Sequence, residues 1–124
     1  MIPMSISGTC HCGAMHFTVN AAPTEAVECN CSYCSKSGGL WAYYTPADIV
    51  VQTSDADRIY TKSGYNKHHF CANCGCQIYG TSPEWSLDGN HDLEKVKIGI
   101  NVRLLDDFDL SAVRVTRIDG RNMW

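Results

Sequence analysis

Cys71-Ala72-Asn73-Cys74-Gly75-Cys76 is the stretch on which the fold turns. Cys71 and Cys74, two residues apart and followed by a glycine, form a knuckle, which is half of a tetrahedral metal site. The other half is expected far upstream, in Cys10-His11-Cys12-Gly13. On an extended strand residues i and i+2 face the same side, so Cys10 and Cys12 present their sulfurs together. A bulge or tight turn at Gly13 brings them within a metal's bite. With Zn–S near 2.3 Å, the two pairs complete one coordination shell. A CxC pair alone is a weak signal; joined to the knuckle it is strong. Such a clip ties the first hairpin to the middle of the chain. Structural zinc contributes on the order of 10 kcal/mol to folding, so the metal-free form is expected to be unstable or unfolded.

A third group, Cys29-Asn30-Cys31-Ser32-Tyr33-Cys34, offers three sulfurs with no fourth partner adjacent. Three protein ligands and a vacancy is the arrangement of a catalytic zinc. The alternative is that Cys76 or a histidine closes the shell and makes a second structural site. Cys76, two residues past Cys74, reads as a small buried cysteine on the strand leaving the knuckle. Of the histidines, His11 faces outward, His16 lies on a strand and His91 in a polar loop. His68 and His69 precede Phe70-Cys71, and His69, close to a ligand by sequence, is the best candidate among the histidines.

Around these groups the sequence offers short β-type runs and no long helical pattern, which predicts an all-β, mainly β, fold. Strands are expected at 6–9 and 15–19, forming a hairpin that turns near Cys12-Gly13. Others are expected at 40–45, 49–53, 59–61, 69–70, 77–79, 96–102 and 112–118, with a Gly-containing turn at Ser63-Gly64. Pro46-Ala47-Asp48 reads as one helical turn, and the polar stretch 82–92 as a surface loop. At 124 residues, 44% hydrophobic and 19% charged, the chain is expected to be one globular domain over 1–124.

Residues 1–7 lack the basic start and apolar run of an export signal, and no run approaches the ~20 apolar residues of a membrane span. A cytoplasmic, membrane-free protein is expected. In a reducing cytosol clustered cysteines mean metal or redox chemistry, while a disulfide framework would need an export signal absent here. The formal charge is −3. Seven thiolates and two zinc ions would move it to roughly −6. Nucleic acid, which requires a basic face, is not an expected partner.

Gly8-Thr9-Cys10-His11-Cys12-Gly13 followed by Phe17 resembles the opening of the glutathione-dependent formaldehyde-activating enzyme family, which includes centromere protein V. Cys29-Asn30-Cys31-Ser32-Tyr33-Cys34 with Lys36 and Gly38 is similar to its second motif, and His69-Phe70-Cys71-Ala72-Asn73-Cys74-Gly75 to its third. Asn101-Val102-Arg103-Leu104-Leu105-Asp106-Asp107 is similar to a weaker fourth. The resemblance implies a zinc-stabilised, Mss4-like β fold with two zinc ions per chain. Cys10, Cys12, Cys71 and Cys74 match its structural zinc ligands; Cys29, Cys31 and Cys34 match those of its catalytic zinc. It also implies a carbon–sulfur lyase chemistry that joins formaldehyde and glutathione into S-hydroxymethylglutathione.

The expected partner is therefore a small-molecule thiol or aldehyde, glutathione among the candidates. Lys36, two residues past Cys34, is a candidate for a substrate carboxylate and otherwise a solvated lysine. Asn101 either lines the same pocket or caps a turn after the strand. The other reading of the chain is a non-catalytic interaction module presenting Trp41, Tyr43, Tyr44, Trp85 and Trp124, although aromatic residues at strand spacing usually pack.

Overall fold

The computed structural model describes residues 5–52, 54–85 and 91–123, with the backbone alone at 84, 85, 91–94 and 123. The first cysteine pair sits in a hairpin. Strand β1 (Ile6–Thr9) runs antiparallel to β2 (His16–Val19), with Gly8 opposite Phe17. Phe17 is fully buried, and a Cβ on Gly8 would stand 2.4 Å from its Cζ. Glycine at 8 and phenylalanine at 17 are thus a single packing decision. The connecting turn closes as expected near Cys12-Gly13, where the Gly13 N–H donates to the Cys10 carbonyl at 3.0 Å.

The remaining elements are β3 (Glu25–Cys29), the one-turn helix α1 (Cys34–Ser37), β4 (Trp41–Tyr44), a 3-10 turn at Pro46–Asp48, β5 (Ile49–Val51), β6 (Asp57–Tyr60) and β7 (Lys67–Cys71). There follow β8 (Gln77–Trp85), β9 (His91–Asn101), 3-10 turns at Val102–Leu104 and Leu110–Ala112, β10 (Arg114–Ile118) and a last helical turn, α2 (Gly120–Met123). Among the described residues the strands form a three-stranded sheet, β1-β2-β5, and a seven-stranded sheet, β10-β3-β4-β9-β8-β7-β6. The all-β expectation holds. No helix among the described residues is long and apolar enough to cross a membrane.

Both sheets feed one core. Phe17 and Val19 from the small sheet, with Met15 just before β2, pack with Ile78 and Ile100 from the large one, and with Val102 just beyond it. The segment after β9 closes over the first hairpin: the Thr9 hydroxyl donates to Asp106 at 2.6 Å, and the Asp106 N–H donates to the Ser7 carbonyl at 2.9 Å. The cysteines at 10 and 12 are therefore gripped by residues from the far end of the chain.

Two expectations need correction. The polar stretch 82–92 is not all loop, because β8 runs through Trp85 and β9 begins at His91, paired as Glu84↔Asp92 and Trp85↔His91. Polar composition signals contact with water; it does not prevent backbone pairing. Pro83 sits where the register shifts, and there its missing N–H is tolerated. The second correction is β3, where no strand was expected. Its sequence Glu-Ala-Val-Glu-Cys is poor in β formers. It is held as a strand by pairing in parallel with β10 on one side and antiparallel with β4 on the other.

Candidate metal centres

The sulfurs of Cys10, Cys12, Cys71 and Cys74 all lie within 4.8 Å of one another. Cys10 and Cys12 stand 3.7 Å apart, and Cys12 and Cys71 3.5 Å. Four thiolates on a tetrahedron of 2.3 Å Zn–S bonds would be about 3.8 Å apart, so the group has the size of a zinc shell. A disulfide would need about 2.05 Å, and all eight cysteines are free. The backbone builds the knuckle directly. The Gly75 N–H donates to the Cys71 carbonyl at 2.8 Å and the Cys71 N–H to the Cys76 carbonyl at 2.9 Å. Gly75 has φ +80°, a conformation that L side chains rarely adopt.

Ionisation within this group is uneven. The backbone N–H of Cys76 leads in lowering the Cys74 thiol to about 6. At Cys12 the Ala14 N–H pulls down, but burial and the thiols of Cys71, Cys10 and Cys74 outweigh it and leave the pKa at about 11. Cys74 ionises readily, while Cys12 resists. A donor set that resists full ionisation by itself is one that a divalent cation completes.

The second group brings the sulfurs of Cys29, Cys31 and Cys34 within 4.8 Å of one another. Strand β3 delivers Cys29, and α1 begins at Cys34. Between them the chain turns so that the Cys31 N–H donates to the Cys29 sulfur at 3.4 Å and the Cys34 N–H to the Cys31 sulfur at 3.3 Å. Asn30 anchors this turn. Its side-chain amide donates to Asp119 at 3.0 Å, and its oxygen accepts the Arg121 N–H at 2.9 Å. Burial, then the neighbouring thiols of Cys31 and Cys29, push Cys34 well above the usual thiol range. Burial also leads in raising Cys29. At Cys31 burial works in the same direction, but the N–H groups of Cys34 and Tyr33 and the thiols of Cys34 and Cys29 together overcome it and the thiol is lowered. Among the described residues no fourth histidine, cysteine or carboxylate joins this group.

Cys76 is half-buried against the core and stands outside both groups. His69 is buried, with Nδ1 2.9 Å from Asp57 and its ring stacked on Tyr79 at 4.1 Å between centroids. Its neighbour His68 takes the place that sequence proximity suggested for His69. The His68 ring stacks at 3.6 Å on Tyr33, a residue of the three-cysteine turn, and Tyr60 lies 6.1 Å from Tyr33. Strand alternation was the available signal, since it puts 68 and 69 on opposite faces. Lys36 is exposed in the last turn of α1. Asn101 is buried, donating to the Gln77 carbonyl and accepting from the Arg103 N–H, each at 3.2 Å. Those are the bonds of a turn cap.

Tyr43 on β4 lies within electrostatic reach of all three thiols, for burial and then Cys34, Cys29 and Cys31 push its phenol up to about 12. It also lines a shallow groove of about 240 Å³ with Tyr44, Thr45, Asp48, Val96 and Lys97, whose ammonium sits 4.5 Å over the Tyr43 ring. Lys97 did not stand out in the sequence as a site residue, and Tyr43 did so only among the aromatic residues of an interaction module. Their pairing depends on the β4–β9 register.

A family model described as "Glutathione-dependent formaldehyde-activating enzyme" matches residues 5–109, a span that includes all seven clustered cysteines. The chain belongs to this family. A family relative from Halomonas elongata, named "Putative glutathione-dependent formaldehyde-activating enzyme", is 31% identical over 93 residues. That match covers 66% of this chain and 59% of the relative, so the chain spans less than two thirds of the relative's length. A crystal structure of a Rhodobacter sphaeroides protein superposes with a TM-score of 0.67 at 26% identity, covering 89% of this chain and 99% of that one.

Proposed function

We propose that this chain is a zinc-dependent enzyme of the carbon–sulfur lyase type acting on a thiol–aldehyde adduct, with S-(hydroxymethyl)glutathione as the model product. In this reading Cys10, Cys12, Cys71 and Cys74 hold a structural zinc, and Cys29, Cys31 and Cys34 hold a second zinc with one position open. The observation that carries it is the three-sulfur group, which no fourth histidine, cysteine or carboxylate of the described residues completes. Family membership supplies the thiol and aldehyde classes.

Zinc on three thiolates carries a formal charge near −1 and supplies an exchangeable position better suited to a thiol than to generating hydroxide. A free thiol of pKa about 8.5 is a few per cent ionised at neutral pH, so full ionisation raises the thiolate about 30-fold, worth about 2 kcal/mol. In the reaction the substrate sulfur attacks the aldehyde carbon, a C–S bond forms, and the carbonyl oxygen takes the proton that the thiol gave up. The protein's part is to fix the site. The N–H groups of Cys31 and Cys34 orient two sulfurs, and Asn30 ties the turn to the C-terminal segment. Two cations suited to a carboxylate are Lys36 on α1 and Lys97 over Tyr43. The groove beside Tyr43 is smaller than the 300–1,000 Å³ of an enclosing ligand pocket, so a tripeptide thiol would lie across this face.

Exchange spectroscopy by NMR on formaldehyde and glutathione tests the proposal. The zinc-loaded protein is expected to speed interconversion with the adduct in proportion to its concentration. A rate equal to that of buffer would rule out this substrate pair and favour a zinc-stabilised interaction module.

A further inference from the structure

Trp41 is 6% exposed, and its indole Nε1 is buried without a hydrogen-bond partner. A buried, unpaired N–H is disfavoured unless some state of the protein satisfies it. The ring's position is strictly set. A Cβ on Gly39 would stand 2.4 Å from Cζ2 and 2.7 Å from Cε2, the ring carbon bonded to Nε1, so glycine at 39 is what admits the N–H edge. On either side β4 is paired, Trp41 with Val27 of β3 and with Asn101 of β9. Val27 lies two residues before Cys29, on the same strand and the same face. The indole edge and the three-cysteine turn are therefore placed together by a shared piece of sheet. Although burial and the adjacent thiols dominate at Cys34, the Trp41 side chain acts on its sulfur as a donor, short of a closed hydrogen bond.

We propose that the indole N–H of Trp41 donates to the Cys34 sulfur when the three-cysteine centre is loaded. Trp41 is then a positioning residue, which holds that sulfur in its ligating orientation and tempers its charge. This rests on the reading of Cys29, Cys31 and Cys34 as metal ligands and adds the donor outside the ligand set. A hydrogen bond to a ligating thiolate draws electron density from the sulfur, so it tunes the metal without touching it.

The test begins with the unaltered protein, labelled with nitrogen-15 and loaded with cadmium or zinc to two ions per chain. The Trp41 indole proton is expected to move downfield on loading and to exchange with water about tenfold more slowly, as a newly closed hydrogen bond requires. The spectrum of a Trp41→Phe variant assigns the signal against Trp85 and Trp124. In the cobalt-loaded protein, Trp41→Phe is expected to shift the sulfur-to-cobalt charge-transfer band to lower energy, because the sulfur becomes the stronger donor. A packing role alone would leave that band in place. If two ions bind and the indole proton does not move, or if the folded variant keeps the parent band, the inference is overturned while the metal reading stands. If Cys29, Cys31 and Cys34 take up no metal, both fall.

Discussion

The four-cysteine and three-cysteine groups are built from the same atoms but are assembled differently from the chain. The first draws its sulfurs from two places in the chain, β1–β2 and the knuckle after β7, with Cys10 and Cys71 buried in the core. The second draws all three from one short turn, anchored by Asn30. A metal in the first group closes a long loop, so its binding energy becomes folding energy. A metal in the second group orders a turn that β3, α1 and the C-terminal segment already hold. In the proposed reading, one site is needed to have a fold and the other needs the fold to exist.

The sharpest way to break this contrast is to remove one ligand from each group. Cys71→Ser is expected to cost several kcal/mol and to leave the chain largely unfolded, whereas Cys31→Ser should remove one of two zinc ions and cost about 1–2 kcal/mol. Metal analysis together with thermal unfolding followed by circular dichroism reads both. Equal destabilisation by the two substitutions would show that the second site is structural too.

Acid should separate the two centres. A thiol whose pKa is raised carries a proton in the metal-free protein, so a metal must displace it and affinity falls as the pH drops. Cys34 and Cys29 are raised, both led by burial, so protons compete throughout the neutral range. In the four-cysteine group Cys12, held at about 11, meets the same competition. There, however, Cys10 is lowered and Cys74, lowered to about 6 chiefly by the Cys76 N–H, resists it until the pH falls below that value. The three-cysteine group, with two of its three thiols raised, is the more sensitive. Each protonated thiol costs about tenfold in affinity per pH unit. Zinc release between pH 8 and 5, followed with a chromophoric chelator, is expected to come first from the three-cysteine centre. Release of both ions in one step would contradict this order.

A smaller effect is expected from Asn30→Ala. It removes two hydrogen bonds between the three-cysteine turn and residues 119 and 121. A loss of about 1 kcal/mol, or about fivefold in affinity for the second ion alone, is expected by competitive titration. An equal loss at the first ion would mean that the two centres are coupled through the sheet.

Much of the site was legible because metal chemistry leaves a local imprint. The knuckle at 71–75, the CxC pair at 10–12 and the triplet at 29–34 each announce themselves by spacing, and each is found with its sulfurs grouped. Gly8 and Phe17 carried meaning as a pair that only the register of β1 and β2 explains. Strand β3 was not legible, because Glu25 and Glu28 leave the segment too poor in β formers to mark a strand. Their strand character comes from β10, whose Arg114 and Arg117 face them across the pairing. Such exposed ion pairs add little, and the ladder does the holding. Trp41 read as an ordinary aromatic strand residue. Its unpaired N–H becomes visible only once Gly39, Val27 and Asn101 are seen around it.

The amino-acid sequence by itself determined the β class, the family and the three cysteine groups, since short-range spacing suffices to present sulfur atoms to an ion. The tertiary structure alone decided that His68 and not His69 stacks on the three-cysteine turn, and that the Trp41 N–H is buried without a partner. These are contacts between residues distant along the chain. Their geometry follows from strand register and shared packing, which no local pattern encodes.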